Sequence, residues 1–289
     1  MVRYALCVGI NEFKSLPRSS WLSGCVNDAN DMAKALKKLG FTARNIQVLR
    51  DREATKKKVM AALTGIVGKA KEGDHVVFTF SSHGTQVPSE PGDEEPDGLD
   101  EAFACHDIRQ AGDDWDRKTV IVDDELRELF AKVPAGVLLE VLLDTCHSGS
   151  GLKDLDAIQQ AMLLGRRPRF LPPPTPKGLD RARSIRADAP RTVDRKALVE
   201  LTRSRRGGAK PVLYAACKPD QTAADATFGD RPNGAFTFLF LKALAEDPKR
   251  TRAQLQKRVV SGLKEGDFEQ RSTLDGPPRA KKVAFGQPF

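Results

Sequence analysis

Two residues stand where nucleophilic chemistry could be built. They are His83, in FTFSSHG, and Cys146, in LLEVLLDTCHSGSG, 63 positions apart in a chain of 289 residues. Each follows an apolar stretch that reads as a buried strand, residues 75–81 and 137–144, and each is followed by small residues. Ligands of an open parallel sheet bind beyond the carboxyl ends of its strands, and neighbouring strands lie about 4.8 Å apart. If these two strands are neighbours, an imidazole and a thiol share one rim. The imidazole then takes the thiol proton, the thiolate attacks a carbonyl, and the imidazolium protonates the leaving amine. Gly84 leaves room for a backbone N–H beside the base, so the amides of Gly84 and Cys146 could form an oxyanion hole. His147 is adjacent to the cysteine, points away from it in an ordinary backbone, and reads as cleft-lining. The bland alternatives are a histidine on a turn and a small buried cysteine; two strand ends that share one pattern favour catalysis.

The elements that must position these residues alternate between strand and helix. Residues 3–10, 45–49, 75–81, 137–144 and 211–217 read as strands. Helical spacing runs over 27–39, from Thr55 to about 70, after a cap at Asp123, over 234–246, and from Thr251 to about 263. This alternation predicts an α/β fold with a mostly parallel central sheet and helices on both faces. From 165 to 208 the pattern fades into prolines and basic residues and reads as a loop or linker. The expected organisation is a large catalytic section over 1–164, a basic Pro-rich linker over 165–210, and a small section over 211–289 that completes the same sheet.

Composition narrows the function further. The formal charge is +8, but residues 153–210 alone hold 15 Lys/Arg against 6 Asp/Glu, so the excess lies in the linker and not on a binding face. Aromatics are few and no nucleic-acid motif accompanies the charge, so no nucleic-acid partner is expected. No apolar run reaches the 18–20 or so residues of a membrane span, and MVRYALCVGINEF lacks the longer apolar region and cleavage site of a secretory signal, so none is expected. Five scattered cysteines without CxxC pairs suit a reducing compartment. A cytoplasmic protein without a membrane partner is the expectation.

The stretches YALCVGIN, LSGCVNDANDM, FTFSSHGTQ, DGLDEAFACHD, IVDDEL, LLDTCHSGSG, VLYAACKPDQTAAD and NGAFTFLFLKAL occur in one order along nearly the whole chain. Together they resemble the metacaspases and the related bacterial orthocaspases. The resemblance implies a caspase-like fold and a cysteine endopeptidase with a Cys146–His83 dyad. It also implies a specificity pocket that contains Cys25, Asp28, Ser81 and Asp144. Two confined carboxylates suit a guanidinium or an ammonium and repel Asp, so cleavage after Arg or Lys of protein or peptide substrates is expected.

Further implications concern activation. Asp100, Asp123 and Asp124 match calcium ligands of calcium-activated metacaspases, with another acid expected near Lys153 and Asp154; hard oxygen donors suit Ca²⁺. The basic linker suggests self-processing, with Arg166, Arg167, Arg169, Lys177, Arg181, Arg183, Arg186, Arg205 and Arg206 as candidate cut sites. Metacaspase-like enzymes tend to be monomers. The competing readings are a catalytically silent caspase-like regulatory or binding module, another cysteine hydrolase such as a phosphatase, and a basic nucleic-acid binder. HSGSGLK after the cysteine has no Arg to hold a phosphate.

Overall fold

A computed structural model describes residues 1–90, 98–146, 165–188, 211–218 and 221–289. Its centre is a six-stranded sheet in the order β14–β11–β9–β3–β1–β2. These strands are β1 (Arg3–Gly9), β2 (Ile46–Arg50), β3 (His75–Ser81), β9 (Leu138–Asp144), β11 (Val212–Ala215) and β14 (Thr273–Asp275). All neighbours are parallel except β11 and β14. Strand β3 is buried along its whole length, as a parallel strand covered on both faces must be. Three small antiparallel sheets flank the centre. They are β4 (Gly84–Pro88) with β5 (Leu99–Ala104) and β8 (Val120–Val122), β6 (Gln110–Ala111) with β7 (Asp114–Trp115), and β10 (Arg167–Pro168) with β12 (Ala224–Phe228) and β13 (Arg231–Gly234).

Alternation along each strand separates two cores. Leu6, Val8, Phe78, Phe80, Leu139 and Leu143 pack with α2 (Lys56–Val67) and α3 (Asp123–Phe130). Ala5, Cys7, Val77, Leu142, Val212 and Tyr214 pack with α1 (Cys25–Lys38), α5 (Ala235–Glu246) and α6 (Arg252–Glu265). The expected helices are therefore present on both faces of the sheet. Thr251 caps α6 with a reciprocal bond to Gln254, the capping-box pattern.

Two expectations need correction. Asp123 is the first residue of α3 and not its cap; Val122 takes the cap position, and its N–H donates to Glu125 Oε2 at 2.9 Å. The basic stretch after 165 is not a loose loop where it is described. Residues 167–168 form β10, and α4 (Pro176–Asp188) follows. Lys177 pairs with Asp113 at 3.1 Å, Arg181 pairs with Asp114, and Trp115 Nε1 donates to Pro172 O. Polar anchors to the β6–β7 hairpin join the burial of Phe170, Leu171 and Ala182 in ordering this segment; hydrophobic periodicity carries no sign of the polar anchors.

Candidate active site

Strands β3 and β9 are hydrogen-bonded neighbours, with Ser81 opposite Asp144. Two residues further along each strand stand His83 and Cys146, at the same carboxyl rim. The backbones meet closely there: a Cβ on Gly84 would lie 1.8 Å from the Cys146 carbonyl oxygen. Only glycine allows this approach.

The His83 ring packs on Phe13 with centroids 5.3 Å apart, and its Nε2 bonds the Ser20 carbonyl at 2.8 Å. A ring N–H donated to that carbonyl leaves Nδ1 unprotonated, and Nδ1 is buried without a hydrogen-bond partner. Burial pushes the imidazole down to about 4, against the weaker upward pull of the Ser20 bond. At neutral pH it is therefore a free base. The Cys146 thiol is fully buried and donates to the Gln221 carbonyl at 3.0 Å. Among the described residues no disulfide joins any of the five cysteines. Burial drives Cys7 up to about 12 and raises Cys25 and Cys105 as well, so these thiols are inert packing groups.

The site already holds an extended peptide, and the chain itself supplies it. The Arg169 carbonyl accepts from the N–H groups of Gly84 at 2.9 Å and Cys146 at 3.2 Å, while the Arg169 N–H donates to Ala223 O at 2.9 Å. Its guanidinium is completely buried among three carboxylates. Nη2 lies 2.7 Å from Asp28 and 2.9 Å from Asp225, and Nη1 lies 3.0 Å from both the carboxylate and the carbonyl of Asp144. Arg169 Nε is buried without a hydrogen-bond partner.

N–H groups at two helix N-termini donate to these acids where they face the pocket. Ser23 and Gly24 N–H groups, ahead of α1, donate to Asp225. Thr237, in the first turn of α5, gives Asp144 its N–H at 3.0 Å and its hydroxyl at 2.6 Å. Asp28 takes the Gly234 N–H at 3.0 Å and the Asn233 amide at 2.9 Å. Burial outweighs the Arg169 guanidinium at Asp28, and with Asp144 nearby its carboxyl rises to about 6. A Cβ on Gly234 would lie 2.2 Å from Asp144 and 2.6 Å from Arg169 Nη1, so glycine makes the space the guanidinium fills.

Cys25 and Ser81 are buried beside this cluster. Sequence reasoning did not single out Asp225, Ser20, Thr237 or Gly234. Asp225 ends the quoted QTAAD stretch, and an acid among alanines on a strand was the available signal. Nothing in the sequence marks the Ser20 carbonyl.

Other expected site residues lie elsewhere. Asp100 is buried and ion-paired with Arg117, and Asp124 is ion-paired with Arg127. Among the described residues no group of three or more His, Cys, Asp or Glu could hold a metal ion. Guanidinium groups thus meet two of the three carboxylates expected to bind calcium, and the stretch expected to add a further acid lies outside the described residues. Of the candidate cut sites, Arg166 lies over the Phe268 ring, 4.2 Å from its centroid, and Arg167 is exposed. Lys177, Arg181, Arg183 and Arg186 belong to α4. Arg169, expected in an exposed segment, is instead buried, because the acid cluster takes it in. His147, Lys153, Asp154, Arg205 and Arg206 lie outside the described residues.

A mostly parallel sheet whose rim joins a histidine, a cysteine and an acid-lined pocket defines a caspase-like α/β protein. A family model described as metacaspase, peptidase C14 domain matches residues 3–155, and the chain belongs to that family. It is 30% identical to Metacaspase-1 of Cryptococcus neoformans var. neoformans serotype D, with 93% of this chain and 61% of that protein covered. It is 32% identical to Metacaspase-1A of Aspergillus oryzae, with 90% and 64% covered. The chain thus spans about three-fifths of the length of these relatives. Among solved structures, protein GSU0716 from Geobacter sulfurreducens superposes with a TM-score of 0.69 at 24% identity over the whole of both chains. Caspase-1 from Spodoptera frugiperda gives 0.57 at 13% identity, covering 94% of this chain and 85% of that one. These two likenesses show the caspase-like fold. No helix among the described residues is long and apolar enough to cross a membrane.

Proposed function

We propose that the chain is a cysteine endopeptidase that cuts after Arg, and more slowly after Lys, and that it cuts itself between Arg169 and Phe170. The double capture of Arg169 carries this reading: its side chain sits among three buried acids while its carbonyl lies under the N–H groups of Gly84 and Cys146. In the first step the Cys146 thiol leaves the Gln221 carbonyl and gives its proton to His83 Nδ1. The thiolate bonds to the Arg169 carbonyl carbon, and the oxyanion keeps both N–H donors. The Arg169–Phe170 bond breaks, and the Phe170 amine takes the proton from His83. Water then hydrolyses the thioester and leaves a carboxylate on Arg169. The Ser20 carbonyl orients the ring throughout. A planar guanidinium reaches three acids at once, whereas an ammonium is a single point, which favours Arg over Lys.

The test is a scan of fluorogenic peptides ending in each amino acid, with Cys146→Ala as the blank, and mass spectrometry of the stored chain. Hydrolysis after Arg and Lys, and a fragment beginning at Phe170 that Cys146→Ala lacks, are expected. Preference for Asp, or an active chain that stays whole, would sink the proposal. Gly84→Ala should lower kcat/KM for Arg peptides by roughly 10²–10³, the usual effect of losing an oxyanion donor. Its methyl group has no room against the Cys146 carbonyl. Calcium activation has a separate test: Arg-peptide hydrolysis with chelator and then with added calcium, where equal rates remove it.

A further inference from the structure

The residues after Arg169 are held as firmly as Arg169 itself. Phe170 and Leu171 are 7% and 6% exposed. Phe170 bridges Gly84. The Leu171 N–H donates to the Gly84 carbonyl at 2.9 Å, and its own carbonyl accepts the Thr85 hydroxyl at 2.7 Å. Phe170 shares a buried cluster with Cys146, Ala216, Cys217 and Ala223. Leu171 shares the other with Val87, Phe103 and Trp115. Strand β4 therefore does two things with its first residues: Gly84 N–H faces the carbonyl to be attacked, and Gly84 O with Thr85 Oγ1 grips the chain beyond it. The side before Arg169 pairs with β12 but is more exposed. Arg167 is exposed and Pro168 half-buried, beside a cavity of about 480 Å³ that includes Ser19, Ser23 and Pro232 in its lining.

We infer that β4 and the two clusters form a substrate subsite for the leaving side of the bond, selecting peptides in which the basic residue is followed by two apolar residues. The inference rests on the reading of Arg169 as the residue before the cut. Main-chain pairing to β4 supplies binding common to all sequences, and the two apolar recesses supply discrimination. A carboxylate in either recess is buried without a partner, which is costly.

The test uses the whole active chain and internally quenched peptides with Pro-Arg fixed and the next two positions varied. Phe-Leu should exceed Gly-Gly by about tenfold or more in kcat/KM, and Asp-Leu and Phe-Asp should fall below Gly-Gly. Equal values across the series overturn the inference. An Arg-coumarin substrate, which has no residues on the leaving side, separates the two readings. If it is hydrolysed while the peptide profile is flat, only the subsite fails; if it is not hydrolysed, the peptidase proposal fails. Self-cutting supplies a second readout in the same molecule. Phe170→Asp, with folding checked by thermal melting, should slow appearance of the fragment ending at Arg169 at least tenfold; an unchanged rate overturns the inference.

Discussion

Arg169→Gln should give a chain that is never cut at that bond and melts well below the parent. The first effect follows from specificity, because the amide offers no charge to Asp28, Asp144 and Asp225. The second follows from burial. Removing the cation from a buried ion cluster leaves uncompensated carboxylates and costs about 3–5 kcal/mol. A chain of this size loses about 2–4 °C per kcal/mol, so a fall of roughly 6–20 °C in Tm is expected. The loss has a pH signature. Asp28 is already raised to about 6 with the guanidinium present, so the folded state holds its proton more tightly than the unfolded chain. Whatever Asp28 contributes is therefore fully present below the ordinary carboxylate range and is lost as pH rises through about 6. Without Arg169 the acids repel with nothing between them, so the deficit should be larger at pH 8 than at pH 5. Scanning calorimetry at the two pH values reads it; an equal deficit would mean that the carboxylates do not feel the guanidinium. Arg169→Lys should restore cutting at a lower rate.

Asp144→Asn should reduce kcat/KM for Arg peptides by about 10² or more. The wild-type carboxylate faces Arg169 Nη1 on one side and takes the N–H and hydroxyl of Thr237 on the other. The amide keeps the shape but presents one donor, which must confront either Thr237 N–H or the guanidinium. Both are donors, so one buried bond is lost together with the charge, and charge-assisted bonds of this kind contribute about 1.5–3 kcal/mol each. The informative readout is the ratio of Arg to its neutral isostere citrulline. It should collapse in Asp144→Asn, with the citrulline rate itself little changed. A preserved ratio would mean that the pocket reads shape and not charge.

The sheet and the two strand ends were open to reading because parallel, doubly covered strands are near-continuous apolar runs, as HVVFTFS and VLLEVLLD are. The caspase-like fold and the family followed from short motifs in a fixed order. The acid cluster was half visible: Asp28 and Asp144 stand in those motifs, whereas Asp225 comes from a hairpin 81 residues beyond Asp144 and enters the site only through topology. The destination of Arg169 was hidden for a similar reason. It is one arginine among many in GRRPRFLPPP, and its partners come from α1, β9 and β12. Prolines and charges dominate its neighbourhood, so the segment reads as solvated, while long-range ion pairs and main-chain bonds to Gly84 and Ala223 decide its place.

If the proposed self-cutting takes place, the tethers on both sides of Arg169 present that first bond at an effective concentration in the millimolar range, as a short tether does. Dilution does not lower that figure. Maturation would then run on an internal clock, with the same half-life at nanomolar and micromolar protein, and foreign peptides would gain entry only after it had run down.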